Sequence, residues 1–149
     1  MKPDVPVVMN QFFGKMLLEL GPALEGTYAA GSASVMGLMM FMAGAEYERG
    51  AQVRVEDIAE LRDIFGEAAG LVSDAVLKQK LGEATQGSEA SLRISELDLA
   101  HDQLANTLIE LQDFLEATQA DWAAALEERI YVHLARSADA RRMPYPDMG

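Results

Sequence analysis

The chain contains no cysteine, a single tryptophan, and only 12 basic residues against 24 acidic ones. The absence of cysteine excludes disulfides, thiolate metal sites and cysteine nucleophiles. The net charge of −12 argues against nucleic acids and anionic membrane surfaces as partners, because both attract basic protein faces. The N-terminal segment has Asp4 and two prolines where a secretory signal needs a basic start and a continuous apolar core, so we expect a cytoplasmic protein.

Glycine and proline are absent between Ser91 and Arg142. Apolar side chains recur there at steps of three and four, the spacing of a helical seam. The seam predicts a long antiparallel helix over about 91–117 and a C-terminal helix over about 120–138. A break near residues 118–121 is the preferred interpretation, because uninterrupted helices of roughly fifty residues are rare in globular proteins; one continuous helix is the alternative. The seam positions are Ile94, Leu97, His101, Leu104, Leu108, Leu111, Leu115, Thr118 and Trp122.

Charge is also missing from Gly26 to Ala45, a stretch of twenty residues. This stretch predicts a helix over about 22–49 that is apolar on every face and therefore buried at the centre of a bundle. Small side chains along one side should let a neighbouring backbone approach closely. The stretch is also long enough to cross a bilayer, but it lacks flanking basic residues and interfacial tryptophan. The small residues are Gly26, Ala30, Ala33, Gly37 and Gly44.

Three further helices are predicted from apolar periodicity and capping signals. The first covers about Val7–Leu20 and ends at Gly21, and another covers about Val55–Ala69. A shorter helix follows Ser73 and Asp74, either of which can cap it. The sequence therefore predicts an all-α fold, a bundle of five to six helices around the central apolar helix. We expect one domain over residues 1–142 and a tail over 143–149.

Chemistry-bearing residues are few, and no catalytic or cofactor-binding residue can be assigned from the sequence. His101 has Asp98 one turn before it, and such a pair can chelate a metal ion from one helix face. Glu46 and Glu48 could add ligands, as in carboxylate-bridged, ferritin-like bundles. His133 lacks a matching acidic residue three positions earlier. We therefore expect no metal and no other cofactor, and we interpret His101 as a hydrogen-bonded histidine at a seam position between Leu97 and Leu104.

Nine acidic residues and no Lys or Arg lie between Glu96 and Glu128. A solvated face explains this pattern most simply, and a docking surface for a basic protein is the alternative. For the chain as a whole, the sequence favours a non-enzymatic, self-associating interaction or scaffold bundle, because we expect the C-terminal helix and the two short helices to leave part of so long an apolar helix uncovered. The alternatives are a ligand- or metal-binding bundle, possibly an enzyme, and a membrane-associated helical protein.

Overall fold

The computed structural model describes residues 4–88 and 91–146, which form helices and contain no strand. The predicted all-α fold is confirmed. Five helices have eleven residues or more, and one three-residue helix lies between the first two of them. The helices are α1 (Val5–Lys15), α2 (Gly21–Ala23), α3 (Tyr28–Leu71), α4 (Ala75–Thr85), α5 (Ile94–Glu116) and α6 (Asp121–Ala140), with a π-helical segment, Met16–Leu20, between α1 and α2.

The chain divides into two compact units. One is formed by the described residues of Met1–Gly50 and Met143–Gly149, and the other is Ala51–Arg142. The helix α3 contributes its first part to one unit and its second part to the other. Compact units of this kind occur within single domains as well as between domains, so the predicted single domain over 1–142 stays a prediction.

The unit Ala51–Arg142 is a four-helix bundle made by the second part of α3 with α4, α5 and α6. Ion pairs fix the helix directions: Arg54 and Asp57 of α3 bind Asp98 and His101 of α5, so these helices run parallel. Pairs between α3 and α6 run in the opposite order, so α6 is antiparallel to both α3 and α5. Short connections between successive helices are typical of up-down-up-down bundles.

The hydrophobic core lies in this bundle. The seam predicted along α5 is confirmed at its leucines, and the stripe predicted over Val55–Ala69 is buried as well. The sequence prediction was wrong in placing the buried centre at Gly26–Ala45. The largest fully buried side chains of the core are Phe65, Ile58, Leu61, Ile64, Leu81, Leu97, Leu111, Leu115, Leu126 and Ile130.

The central helix has different bounds from those predicted. It starts at Tyr28 rather than near residue 22, and it runs without interruption to Leu71, so the helices predicted over 22–49 and 55–69 are one. Gly50 lies inside the helix and does not end it. A glycine in a helix interior costs only about 1 kcal/mol relative to alanine, and neither a proline nor a left-handed residue follows to break the helix.

In the first unit, α1 and the segments after it fold back along the first part of α3. Asp4 caps α1 by accepting a hydrogen bond from the amide of Val7 at 3.2 Å, so this helix begins slightly earlier than predicted. The predicted end at Gly21 is not found. Pro22 lacks the amide that would bond one turn back, and the helix widens to a π-helical segment before it. The chain reverses at Gly26, whose φ of 80° favours glycine.

The predicted break between the last two helices is confirmed, since α5 ends at Glu116 and α6 begins at Asp121. Thr118 does not cap α6 but donates its hydroxyl to the carbonyl of Phe114. Asp74 does cap α4, accepting from the amide of Leu77 at 2.8 Å. The helix α4 continues to Thr85. Residues 89–90, and residues 147–149 of the predicted tail, lie outside the described part of the chain.

Candidate functional site

Asp57 is the one acidic side chain that is buried among the described residues. It lies in α3, one helical turn before Leu61 of the core. Burying an isolated carboxylate is very unfavourable, so a buried aspartate must be paired and hydrogen-bonded. The partners come from α5 and α6, and Asp57 therefore links three of the four helices of the bundle.

Both histidines and one arginine point at this carboxylate. The Nε2 atom of His101 lies 2.8 Å from Oδ2 of Asp57, and Nε2 of His133 lies 3.5 Å from Oδ1. Arg141 donates from a guanidinium nitrogen to Oδ2 at 2.6 Å and also binds the hydroxyl of Ser137. On α6 the residues His133, Ser137 and Arg141 follow at intervals of four, which brings them to one face of the helix.

The electrostatics of the cluster favour an ionised Asp57. Burial alone would raise its pKa, but hydrogen bonds from His101, Arg141 and Ser137 outweigh burial and hold the pKa of Asp57 well below its usual value. Burial lowers the pKa of His133, because a charged imidazole loses its hydration there, and the charge of Asp57 opposes this shift only in part. His133 is therefore neutral at pH 7.

A small polar cavity of about 120 Å³ adjoins the cluster. Glu60 and Arg136 form an ion pair of 3.3 Å within this lining. A space of this size holds a few water molecules, each of which occupies about 30 Å³ in the liquid. The cavity is lined by Val53, Glu56, Asp57, Glu60, His133, Arg136, Ser137 and Ala140.

The arrangement is poorly suited to catalysis by a nucleophile. Activation of a serine requires a histidine base that is itself oriented by a carboxylate. Here the hydroxyl of Ser137 bonds to Asp57 directly, and Nε2 of each histidine faces the same carboxylate. With its oxygens taken by several donors, Asp57 is also a weak base. The cluster instead fastens α3, α5 and α6 to one another.

The candidate metal ligands Asp98 and His101 bind different partners in the structure. Asp98 binds the Nε atom of Arg54 at 2.6 Å, whereas His101 is turned towards Asp57, so the predicted one-turn chelate is not formed. His133 joins the same aspartate rather than a second motif. Within residues 4–88 and 91–146, no group of three or more His, Asp or Glu side chains is arranged to hold a metal ion.

The other candidates belong to different surroundings. Glu46 and Glu48 lie in the first compact unit, while Asp98 and His101 lie in the second. His101 lies at its seam position on α5, where its imidazole binds Asp57 and is about a quarter exposed.

Sequence reasoning missed Asp57 itself. The spacing of Asp57 could have indicated its burial. It lies four residues before Leu61 and seven before Ile64, on the buried stripe of α3. A carboxylate in such a position requires cationic or hydrogen-bonding partners. His101 on the α5 seam is one of these partners, and its polar side chain on an apolar seam was a second indication in the sequence.

A second feature of the molecule is an exposed apolar face on the first part of α3, here called the Val35 face. Its members follow at steps of four and three, as in a coiled-coil seam, and most of them are large. Tyr28, Val35 and Met39 are 94%, 59% and 64% exposed, and Met36 and Leu38 beside them are also exposed. The Val35 face consists of Tyr28, Ser32, Val35, Met39 and Met42.

The opposite side of the same helix is made of small residues and is covered. A Cβ atom added to Gly37 would lie 2.9 Å from Cβ of Met16, and one added to Gly44 would lie 2.9 Å from Cβ of Met9. The rings of Phe13 and Phe41 lie 5.4 Å apart beside this contact. The predicted close approach along a ridge of small residues is therefore made by α1 and the π-helical segment of the same chain.

The helix Tyr28–Leu71 contains an 18-residue window of mean hydropathy 1.3, which is long and apolar enough to cross a membrane. Only 17% of that window is buried. A core helix of a soluble bundle passes the same test but is mostly buried. Most of this window is therefore exposed in the chain by itself.

No family model matches the chain, and neither the curated proteins nor the solved structures include one that matches it.

Proposed function

We propose that this protein is a non-enzymatic interaction or scaffold protein that self-associates through the Val35 face. The observation that carries the proposal is the exposure of this face on a helix stretch without charge. Soluble monomers rarely expose contiguous apolar patches larger than a few hundred Å². Larger patches mark sites of association, and the heptad spacing of this one suits a second helix as the occupant.

A second copy of the chain suits the charge pattern better than a basic partner. The chain has a net charge of −12, so most contacts between two copies bring carboxylates together. The stretch from Gly26 to Ala45 is free of charge, and association there avoids that repulsion. A basic partner would gain nothing from an uncharged face.

A bilayer is a less suitable cover than a second copy. Lys15 and Glu19 form an ion pair of 3.2 Å, and both side chains are 64% exposed. Lys15 directly precedes Met16, which packs on Gly37 near the middle of the uncharged stretch. With α1 packed in this way, crossing a membrane would bring the exposed pair into the hydrocarbon, where charged side chains are costly.

Light scattering on the purified chain and two variants tests the proposal. Met39→Glu places a charge on the Val35 face, and Leu99→Glu places the same charge on α5 at a site of similar exposure, 61%. We expect the parent chain and Leu99→Glu to be dimers or larger at micromolar concentration without detergent. Met39→Glu should be a monomer of unchanged helix content.

Two results would overturn the proposal. One is a parent chain that remains monomeric at tens of micromolar, and the other is a Met39→Glu variant that associates as the parent does. A chain that is soluble only in detergent and sediments with lipid vesicles would instead support the membrane-associated alternative, which the hydropathy of Tyr28–Leu71 favours.

A further inference from the structure

The Val35 face has an uneven profile along α3. Between Tyr28 and Val35 its surface is low, because Gly31 and Ser32 carry little or no side chain, and a Cβ atom added to Gly31 would meet nothing within 4 Å. On the C-terminal side of Val35, the side chains of Leu38 and Met39 project into solvent. The low surface at Gly31 and Ser32 is part of an open groove of about 680 Å³. The groove is lined by Thr27, Tyr28, Gly31, Ser32, Val35, Met36 and Met39.

We infer that two copies of the chain pair antiparallel along the Val35 face, with a two-fold axis at Val35. This inference rests on the proposed self-association and specifies its geometry. Antiparallel pairing about Val35 brings Met39 of the partner subunit over Gly31, and the two-fold axis repeats the contact at the other end. A flexible thioether chain fills an irregular groove well.

A parallel, in-register pair fits less well. It would set the two copies of Gly31 against each other and leave a void, while the two copies of Met39 would crowd one another. Voids and overpacking both destabilise an interface, because its core is packed as densely as a protein interior. Antiparallel helices also align opposite ends of their dipoles, which adds a small favourable term.

The Val35 face, together with Met36 and Leu38 beside it, exposes an area at the lower end of the range for specific interfaces. The exposed parts of Tyr28, Val35, Met36, Leu38, Met39 and Met42 amount to on the order of 600 Å² per chain, against about 800 Å² per partner in a standard interface. The backbone and the small residues between these side chains supply further area.

Disulfide crosslinking tests the arrangement, and the absence of native cysteine makes each introduced thiol unique. A Gly31→Cys chain with an affinity tag is mixed with an untagged Met39→Cys chain, left to exchange subunits and oxidised. Antiparallel pairing should give the mixed disulfide as the main product, while either variant alone gives little. Val35→Cys should crosslink to itself, and Leu99→Cys on α5 serves as the control that does not crosslink.

The outcomes separate the arrangement from the self-association on which it rests. A dimer in which Gly31→Cys and Met39→Cys each crosslink to themselves, with little mixed product, would overturn the antiparallel arrangement and leave self-association standing. A dimer that forms no disulfide at any of these α3 positions would show that the Val35 face is not the interface. A monomeric parent chain would overturn both proposals.

Discussion

The Nε2 atom of His101 lies 2.8 Å from Oδ2 of Asp57, and this contact joins α5 to α3 inside the bundle. The side chain of Asp57 is 4% exposed, so its charge depends on the donors around it rather than on water. Arg141 supplies a second donor from α6. Because three helices meet at one carboxylate, substitutions there should affect the stability of the bundle far more than substitutions of surface acids.

Replacing Asp57 by asparagine keeps the shape of the side chain but removes its charge. We expect the free energy of unfolding to fall by about 3 kcal/mol, at the lower end of values for breaking a buried ion pair, because Arg141 reaches solvent. Urea denaturation followed by circular dichroism measures the change. Asp63→Asn, on an exposed position of the same helix, should change stability by less than about 0.5 kcal/mol. Equal effects of the two variants would contradict the role of Asp57.

His101→Leu should destabilise the protein. The leucine cannot donate to Asp57, and a buried acceptor that loses its donor costs about 1–3 kcal/mol. The loss should shrink when Asp57 is already asparagine, because the charged acceptor is then absent. A double-mutant cycle over Asp57→Asn and His101→Leu measures this coupling. Strict additivity of the two substitutions would show that the contact contributes nothing.

Stability should depend on pH through His133. Burial lowers its pKa below the ordinary value of 6.5 in the folded state. The unfolded chain therefore binds this proton at a higher pH than the folded chain does, and the histidine's contribution is complete above pH 6.5. It is lost progressively as the pH falls from about 6.5 towards the lowered pKa.

Comparison with His133→Gln isolates that contribution, because other groups change little between the two proteins. We expect the free energy of unfolding of the parent chain to fall more steeply between about pH 7.5 and 5.5 than that of the variant. Asp57 does not interfere in this range: its pKa is depressed, so its contribution is present above the ordinary value of 3.8 and is lost only at lower pH. Parallel pH profiles would show that His133 titrates alike in both states.

The helices of the bundle were largely predictable from the sequence, because their buried positions recur every three or four residues. Leu97, Leu104 and Leu111 illustrate the pattern on α5. The same reasoning failed at Gly26–Ala45, since an apolar composition predicts that a helix will be covered but not whether its own chain provides the cover. The sequence did not predict that α3 continues through Gly50. The preference of glycine for helix ends is weak, and packing of the flanking residues outweighs it.

The cluster at Asp57 was half predictable. The sequence singled out His101 and His133 as candidate metal ligands, and both lie at the cluster. It paired His101 with Asp98, a neighbour on the same helix, because spacing along one helix can be read directly. Contacts between helices depend on how they are rotated against each other, and one sequence does not reveal that rotation.

Gly37 and Gly14 offer a matched test of the packing between α1 and α3. Alanine at Gly14 meets nothing within 4 Å, so Gly14→Ala should stabilise the helix by about 0.5–1 kcal/mol. At Gly37 the added methyl group would lie 2.9 Å from Cβ of Met16 and 3.3 Å from the carbonyl oxygen of Phe13, neither of which is the free end of a flexible side chain. The backbones must then separate, which typically costs 1–3 kcal/mol and exceeds the helical gain. We therefore expect Gly37→Ala to lower the melting temperature and Gly14→Ala to raise it, and an increase for both would disprove the close approach.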